Sequence, residues 1–539
     1  MKTYGTALNA KRTPQTQKAF GKDQVLNNAG GYVFALSDEK ALERFLILGA
    51  EGGTYYVSER DLTLENTKLL QRLLAADPTK FVNTIVRVSD AGRAPKNDAA
   101  LFALALAAAN KPSRKLAYEA LPKVARTGTH LFQFMANLDS LVDPGSKTFR
   151  KGIANWYLGK DTKALAYQML KYQNRVGWSH RDVLRLAHIK PTNAVYDFLF
   201  THVVKGVDGV LAKGYGKEVW DTDAAALVAR QSALMCNPSI DPKVAVAWIE
   251  EVGLTREMLP TELLKSPEVW EALLQNMPLH ALVRNLGNLS KVGLLAPLSD
   301  GQKLVTQKLS DAEYIKKSRL HPFSILVALK TYASGQGLRG SGSWEVNQKV
   351  VDALDGAFCK AFEFVEPTGK KVMLALDISG SMGSAIGGLP LTAREVAAAM
   401  AMTFLKTEEE TFIVGYHHDL MPLKIGAHQR LDDVVGYTSR LGFGSTNCAL
   451  PWQYAVNKGI DLDAVISITD NETYGGTEHV FQAVKRYRSA GGRAAQARSV
   501  VIGTTSTGFT INDPSDPLGL DVVGMDTSVP QLVADFIRG

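Results

Sequence analysis

A carboxylate and two hydroxyls follow an apolar segment in the second half of the chain. Lys371–Ser384 reads KVMLALDISGSMGS, so the apolar residues Val372–Leu376 give way to Asp377, Ser379 and Ser381. The apolar segment predicts a strand buried on both faces, and ligands bind at the C-terminal ends of such strands. Hard oxygen ligands suit a divalent cation such as Mg²⁺. The same residues equally predict a turn whose hydroxyls cap the next helix.

Two later segments favour the metal site. Phe443–Asn447 (FGSTN) is a loop rich in hydroxyl groups, and Val465–Asp470 (VISITD) predicts a second buried strand that ends in a carboxylate. The set in chain order resembles the metal-ion-dependent adhesion site of von Willebrand factor A domains. That resemblance implies a divalent ion, Mg²⁺ in the simplest case, bound directly or through water by five residues: Asp377, Ser379, Ser381, Thr446 and Asp470.

Composition bounds the class of protein. A chain of 539 residues predicts about two to four domains, and 45% hydrophobic with 21% charged residues is typical of globular proteins. Cys236, Cys359 and Cys448 are too few and too scattered for a disulfide framework or a zinc motif, which favours a reducing compartment. No apolar segment follows the N-terminal charges, and Ala99–Ala109 is too short to cross a bilayer. We therefore expect a cytoplasmic protein.

The net charge of +7 is unevenly distributed along the chain. Residues 361–539 contain 14 Lys and Arg against 20 Asp and Glu, whereas the other 360 residues contain 47 against 34, so the two parts carry −6 and +13. A basic N-terminal part indicates contact with a polyanion. The alternative is a helical domain that keeps itself in solution with lysine, and charge balance alone favours that alternative.

The spacing of apolar residues divides the chain into a helical part and an α/β part. After a polar arm at residues 1–28, helical spacing recurs across 29–364 in consecutive pairs, which predicts a HEAT-like α-solenoid. From residue 365 to 539 strands and helices alternate, which predicts a doubly wound α/β domain.

Cationic side chains recur at helical spacing in Lys171–Pro191, KYQNRVGWSHRDVLRLAHIKP. Lys171 and Arg175 are four residues apart and would share a helix face. Ser179 and Asp182 form a candidate capping pair for a second helix. On that helix one face would carry Arg181, Arg185 and His188. Such a face can bind phosphate or can simply be solvated, and spacing alone favours the solvated face.

The segment GWSHRDVLRLAHIKP resembles the Ro autoantigen family, whose helical part is called the TROVE domain. Four other segments resemble the same family in the same order: Gly30–Tyr56, Met277–Gly287, His321–Gly340 and Ser467–Gly475. The resemblance implies a ring of HEAT-like helical repeats closed by a von Willebrand factor A-like domain. The segments Gly30–Tyr56 and His321–Gly340 should then come together in space.

Proteins of this family bind small non-coding RNAs called Y RNAs on the outer surface and take single-stranded RNA ends into the central hole. The positions that match their Y RNA contacts are Lys171, Arg175 and His188, while Arg181 and Arg185 are added from the helical spacing. The resemblance implies a monomer that acts in RNA quality control, decay or ribonucleoprotein assembly, with an exoribonuclease such as polynucleotide phosphorylase as a partner.

No catalytic set is evident in the sequence, because paired carboxylates, a Ser/His/Asp set and a phosphate-binding loop are all missing from the contexts they need. We therefore expect a protein that is not an enzyme. Two rival functions remain. One is an adhesion receptor that binds protein ligands through the metal, against which the scarcity of cysteine counts. The other is a metal-dependent hydrolase, for which Glu472 is the nearby candidate base.

Overall fold

The computed structural model describes residues 12–338, 342–362, 365–442 and 444–539. Its helices, in chain order, are α1 Asp38–Leu48, α2 Glu59–Ala76, α3 Pro78–Asp90, α4 Asp98–Ala109, α5 Arg114–Val124, α6 Gly128–Asp139, α7 Lys147–Leu158, α8 Thr162–Lys171, α9 His180–Ala187, α10 Ala194–Lys213, α11 Lys217–Trp220, α12 Asp223–Cys236, α13 Pro242–Val252, α14 Pro267–Gln275, α15 Leu279–Lys291, α16 Asp300–Ser310, α17 Ala312–Ser318, α18 Pro322–Ala333, α19 Gln348–Lys360, α20 Ala393–Thr407, α21 Leu431–Ser439, α22 Leu450–Lys458, α23 Val480–Arg488 and α24 Ser528–Arg538. Its strands are β1 Val25–Leu26, β2 Tyr32–Ala35, β3 Asn174–Arg175, β4 Trp178–Ser179, β5 Val372–Asp377, β6 Thr411–Tyr416, β7 Leu420–Pro422, β8 Ala464–Thr469, β9 Arg498–Gly503, β10 Phe509–Thr510 and β11 Gly519–Val523. None of the helices in these ranges is long and apolar enough to cross a bilayer.

The helical part is a chain of packed helices whose boundaries follow from local signals. At α3, for example, the Asp77 carboxylate accepts a hydrogen bond from the Lys80 amide, and Pro78 occupies the first turn, where its missing N–H costs nothing. Successive contacts run from α1 through α3, α5, α7 and α9, and later from α12 to α13 and α14. Such stacking buries one continuous core, as in an α-solenoid.

The two ends of the helical part meet. Arg319, after α17, donates to the Asp90 carbonyl at 3.3 Å, and His321 Nε2 lies 3.3 Å from the Arg93 carbonyl. Arg93 also lies 3.7 Å from the Glu43 carboxylate on α1. The segments expected to converge, 30–56 and the described part of 321–340, therefore meet at Arg93, which confirms a closed ring over an open superhelix. Residues 339 and 340 lie outside the described part of the chain.

The α/β part is built on a six-stranded sheet of order β11-β9-β8-β5-β6-β7. Its strands are parallel except for β7, which is antiparallel to β6 at one edge. Along β5 the side chains alternate between two cores: Leu374 and Leu376 join the core that continues into the helical ring, while Met373 and Ala375 join the core on the other face. This alternation confirms β5 as a strand buried on both faces.

Residues 12–36 lie across the α/β part. Strand β2 pairs with β10 through Phe34↔Thr510, so the start of the chain adds a strand to the far domain. Nearby, Nη2 of the buried Arg44 donates to both carboxylate oxygens of Asp521, at 2.8 and 2.9 Å. Its Nη1 donates to the Phe509 carbonyl at 2.9 Å. The predicted polar arm is thus docked over 12–28, whereas residues 1–11 lie outside the described part. The domain bounds 29–364 and 365–539 stay predictions, and Phe364 also lies outside the described part.

Candidate metal and nucleic-acid sites

Strand β5 delivers Asp377 to a tight turn at its C-terminal end. Asp377 Oδ1 accepts a hydrogen bond from the Ser379 amide at 2.9 Å, and Asp377 Oδ2 accepts one from Thr469 Oγ1 at 2.6 Å. The hydroxyls of Ser379 and Ser381 lie 3.1 Å apart. The chain then forms a short 3₁₀ turn over Gly380–Gly383. The Asp-x-Ser-x-Ser spacing therefore gathers a carboxylate and two hydroxyls at one point, as the sequence predicted.

Asp470 and Thr446 belong to loops that border the same turn. The Asp470 carboxylate accepts a hydrogen bond from Ser381. The Thr446 carbonyl accepts one from the Gly475 amide at 2.8 Å, in the loop that follows Asp470. Thr446 Oγ1 is buried and has no hydrogen-bond partner among the residues that the structure describes. Phe443, at the start of the predicted FGSTN loop, lies outside the described residues.

Burial places an unfavourable charge at this point. Asp377 and Asp470 are 0% and 3% exposed. Burial, followed by the charge of Asp470, raises the pKa of Asp377 to about 7, and burial also raises the pKa of Asp470. Two buried carboxylates, two hydroxyls and a threonine oxygen that has no partner within the described ranges are a donor set that fits a hard divalent cation.

Supporting contacts at this site were missed by the sequence reasoning. The buried Arg394, on α20, donates to the Ile378 carbonyl at 2.5 Å and to the Ser379 carbonyl at 3.0 Å. These two bonds hold the backbone of the turn that follows Asp377. Thr469, the last residue of β8, orients Asp377. No spacing rule links either residue to the metal motif, so only the fold reveals them.

The docked N-terminal segment also holds the loop after Asp470. Glu472 Oε1 accepts a hydrogen bond from Asn28 Nδ2 at 2.7 Å, and Glu472 Oε2 accepts one from the Ala29 amide at 3.1 Å. Asn27 Nδ2 donates to the Thr473 carbonyl at 2.7 Å. These bonds hold the Glu472 side chain against the N-terminal segment, and each of its two oxygens keeps a second lone pair.

Gly31 explains how the N-terminal segment approaches so closely. A Cβ on Gly31 would lie 1.8 Å from the Thr473 carbonyl oxygen, so every other residue type would push the segment away from the loop.

The predicted helix through Lys171 and Arg175 is wrong. Helix α8 ends at Lys171, and the chain turns into the hairpin β3–β4, in which Arg175 pairs with Trp178. Val176 and Gly177 form the turn with φ of 46° and 79°. Two central residues with positive φ match the right-handed twist of a two-residue hairpin. Gly177 adopts positive φ without strain, whereas the β-branched Val176 rarely does, so the turn is not a local preference of Val176.

Helix α9 agrees with the sequence reasoning. Ser179 and Asp182 form the predicted capping box. Arg181 and Arg185 are exposed, and neither makes an ion pair with any residue the structure describes. His188 is also exposed and caps the C-terminus in the left-handed conformation, with φ of 48°. The one carboxylate of α9, that of Asp182, is used in the capping box and leaves the cationic face unneutralised.

Lys171 has surroundings quite unlike those of the arginines. It is half-buried, and its Nζ donates to the Tyr167 hydroxyl at 2.9 Å. Burial lowers the pKa of Lys171, but the hydrogen bond with Tyr167 and the nearby Tyr172 and Glu257 outweigh it, so the pKa is raised overall. Lys171 therefore stays charged inside a partly aromatic environment.

His180, the first residue of α9, is a buried group that the sequence reasoning did not single out. It is 2% exposed, and its Nδ1 lies 2.7 Å from the Tyr157 hydroxyl. Burial lowers the pKa of His180 to about 3. The neutral ring anchors the start of α9 beneath the cationic face.

Comparison with known proteins places this architecture. The TROVE domain model matches residues 25–221 and 251–332, and the Ro60 vWA domain model matches residues 371–537. This chain belongs to the Ro60 family. Its Ro60 relatives include the RNA-binding protein RO60 of Deinococcus radiodurans, 39% identical over 100% of both chains. The RNA-binding protein RO60 of Caenorhabditis elegans is 34% identical over 98% of this chain and 92% of the relative.

A solved Ro structure supports the same fold. The crystal structure of the Deinococcus radiodurans RO (RSR) protein is similar with a TM-score of 0.70 and 37% identity, covering 93% of this chain and 100% of that one. Family membership and the fold class, a HEAT-like helical ring closed by a von Willebrand factor A-like domain, are therefore confirmed.

Proposed function

We propose that this protein is an RNA-binding ring without catalytic activity. It holds small structured RNAs of the Y RNA kind on its outer surface and single-stranded RNA ends in its central hole. The two relatives, which cover 100% and 98% of this chain, are named RNA-binding proteins. The observation that carries the proposal is the exposed cationic face of α9, with Arg181, Arg185 and His188, followed by Arg175, which is exposed on the preceding hairpin.

The cationic face suits phosphate because its charges are free. The arginines 175, 181 and 185 make no ion pair with any part of the chain that the structure describes. An arginine presents a planar fork of donors that matches phosphate oxygens, and each phosphate contact releases counterions from the RNA. Like charges at positions i and i+4 cost a helix a few tenths of a kcal/mol, about the size of one surface pair. A polyanion removes that cost.

The metal site is a second part of the proposal. Asp377, Ser379, Ser381, Thr446 and Asp470 would hold a divalent ion, Mg²⁺ in the simplest case. Its charge would offset the two buried carboxylates and would give Thr446 Oγ1 a partner, directly or through water. Because the N-terminal segment holds the adjoining loop, we assign this site to joining the helical and α/β parts rather than to adhesion.

The family suggests the pathway. A ring that carries a structured RNA on one surface and a single-stranded end in another place is suited to RNA quality control, decay or ribonucleoprotein assembly. An exoribonuclease such as polynucleotide phosphorylase is the partner we propose, tethered through the bound RNA. The alternative, a metal-dependent protein-ligand adhesion module, predicts no RNA in the purified protein.

Sequencing the RNA that co-purifies with the protein tests the proposal. We expect a small set of structured RNAs with wild type and a strong loss with Arg181→Glu combined with Arg185→Glu. The matched control is Arg60→Glu with Lys68→Glu, because both residues are exposed on α2 and the charge change is the same. Equal RNA recovery from both double variants would contradict the role of α9.

A further inference from the structure

A cleft opens beside Lys171, between α8, the α13–α14 connection and α15. Its volume is about 190 Å³. Pockets that take drug-sized ligands measure about 300–1,000 Å³, so this cleft admits only one small ring system. The residues that line it and concern the argument are Tyr167, Lys171, Glu257, Asn276 and Ala281.

The walls combine an apolar base with a polar rim. The base is formed by four buried side chains: Ile249, Leu254, Leu273 and Met277. At the rim, Glu257 and Asn276 are exposed, and their side chains form no hydrogen bond within the described residues. A planar ring with polar edges matches this division. Its face would contact the four apolar side chains, and its edges would meet the Asn276 amide and the Glu257 carboxylate.

Aromatic rings and cations surround the entrance. Lys171 Nζ lies 5.1 Å from the ring centre of Tyr167 and 5.6 Å from that of Tyr172. The exposed Arg284 lies on α15 between Ala281 and Asn285, two residues that line the cleft. Aromatic faces with adjacent cations bind nucleobases together with their phosphates.

The cleft also adjoins the proposed RNA surface. Tyr172 follows Lys171 as the C-cap of α8, and β3 begins two residues later at Asn174. Lys171 and Arg175 are four positions apart in the chain, which limits the distance between their Cα atoms to about 14 Å. An RNA strand bound by the arginines therefore passes close to the entrance of the cleft.

We infer that this cleft receives one unpaired nucleobase of the RNA held on the cationic face. The inference rests on the proposed RNA-binding function and adds a base-recognition site to it. Lys171 then acts as a wall and an entrance cation of the base site, which accounts for its burial against Tyr167 while the arginines stay exposed.

The test uses a short RNA hairpin whose loop bases are removed one at a time. For wild type, removal of one particular loop base should weaken binding about 5- to 150-fold, the range of base stacking on aromatic side chains. Ala281→Phe fills the cleft without changing charge. The Ala281→Phe variant should bind the intact hairpin more weakly than wild type by the same factor. It should bind the abasic hairpin with the same affinity as wild type.

Two further measurements separate loss of the base site from misfolding of the variant and from loss of phosphate contacts. Ala281→Phe should leave the salt dependence of binding unchanged, since no phosphate contact is lost. In wild type, a 4-thiouridine at the sensitive loop position should crosslink to Tyr167 or its neighbours in the cleft, which does not depend on the variant folding.

Separate outcomes overturn the inference and the proposed function. If wild type binds the hairpin but no loop base matters and no crosslink reaches the cleft, the base site is wrong while RNA binding stands. If wild type shows no RNA affinity, both the base site and the proposed function are wrong.

Discussion

Acid should destabilise the helical ring through His180. The pKa of this buried imidazole is about 3 in the folded protein against an ordinary value of 6.5. Above pH 6.5 the imidazole is neutral in the folded and in the unfolded state, so it does not change the free energy of unfolding. As the pH falls from 6.5 towards 3, the unfolded chain takes up a proton that the folded chain refuses, so the free energy of unfolding falls.

The size of the effect follows from the difference between the two pKa values. About pH 5 lies roughly 1.5 pH units below the pKa of His180 in the unfolded chain. Protonation of the unfolded chain there lowers the free energy of unfolding by about 2 kcal/mol, at 1.36 kcal/mol per unit. His180 is 2% exposed, so solvent screening does not reduce this figure much. Since His180 begins α9, the loss weakens the element that carries Arg181 and Arg185.

The assay is urea unfolding followed by circular dichroism at about pH 7.5 and about pH 5, for wild type and His180→Asn. Asparagine offers an amide oxygen to the Tyr157 hydroxyl and does not titrate in this range. The matched control is His428→Asn, which removes an exposed imidazole. Wild type should lose about 2 kcal/mol more than His180→Asn between the two pH values. An equal loss of unfolding free energy in wild type and in His180→Asn would refute the reasoning.

Three other predictions follow from buried contacts. Arg44→Met leaves the Asp521 carboxylate buried without its partner, so unfolding in urea should show a loss of about 3–5 kcal/mol, and a loss below about 1 kcal/mol would contradict a buried pair. Mg²⁺ at about 100 times its dissociation constant should stabilise wild type by about 2.7 kcal/mol in thermal unfolding, whereas Asp377→Ala should show no such shift and should keep its RNA affinity. Asn28→Ala removes a hydrogen bond to Glu472 and should speed proteolysis of residues 12–36, and unchanged cleavage would show that the segment is held elsewhere.

Local signals predicted much of the α/β part and of helix α9. The apolar segment Val372–Leu376 is a strand buried on both faces because it contains nothing polar for either face. Ser179 and Asp182 form a capping box because the spacing suits the first turn of a helix. The grouping of Asp377 and Asp470 at the proposed metal site follows in the same way, since strand ends of a parallel sheet meet at one edge.

Contacts between remote segments were beyond the sequence reasoning. Asn28 and Glu472 are brought together only by the docking of the N-terminal segment on the far domain, and no periodicity records such a pairing. The hairpin at Arg175 was missed because only Gly177 favours its turn, whereas the β-branched Val176 rarely adopts positive φ and gives no signal for one. Burial of Lys171 against Tyr167 depends on helices from three parts of the chain.

The most direct test of the account is the salt dependence of RNA affinity. The RNA recovered with the protein is titrated at several salt concentrations with wild type, with Arg181→Ala plus Arg185→Ala, and with Arg60→Ala plus Lys68→Ala. If the α9 arginines contact phosphates, their removal should weaken binding across RNA sequences and flatten the log–log slope by about 1.4–1.8, at 0.7–0.9 per lost contact. The α2 double variant should keep the wild-type slope. Equal affinity and equal slope for the α9 variant and wild type would contradict RNA binding by this face.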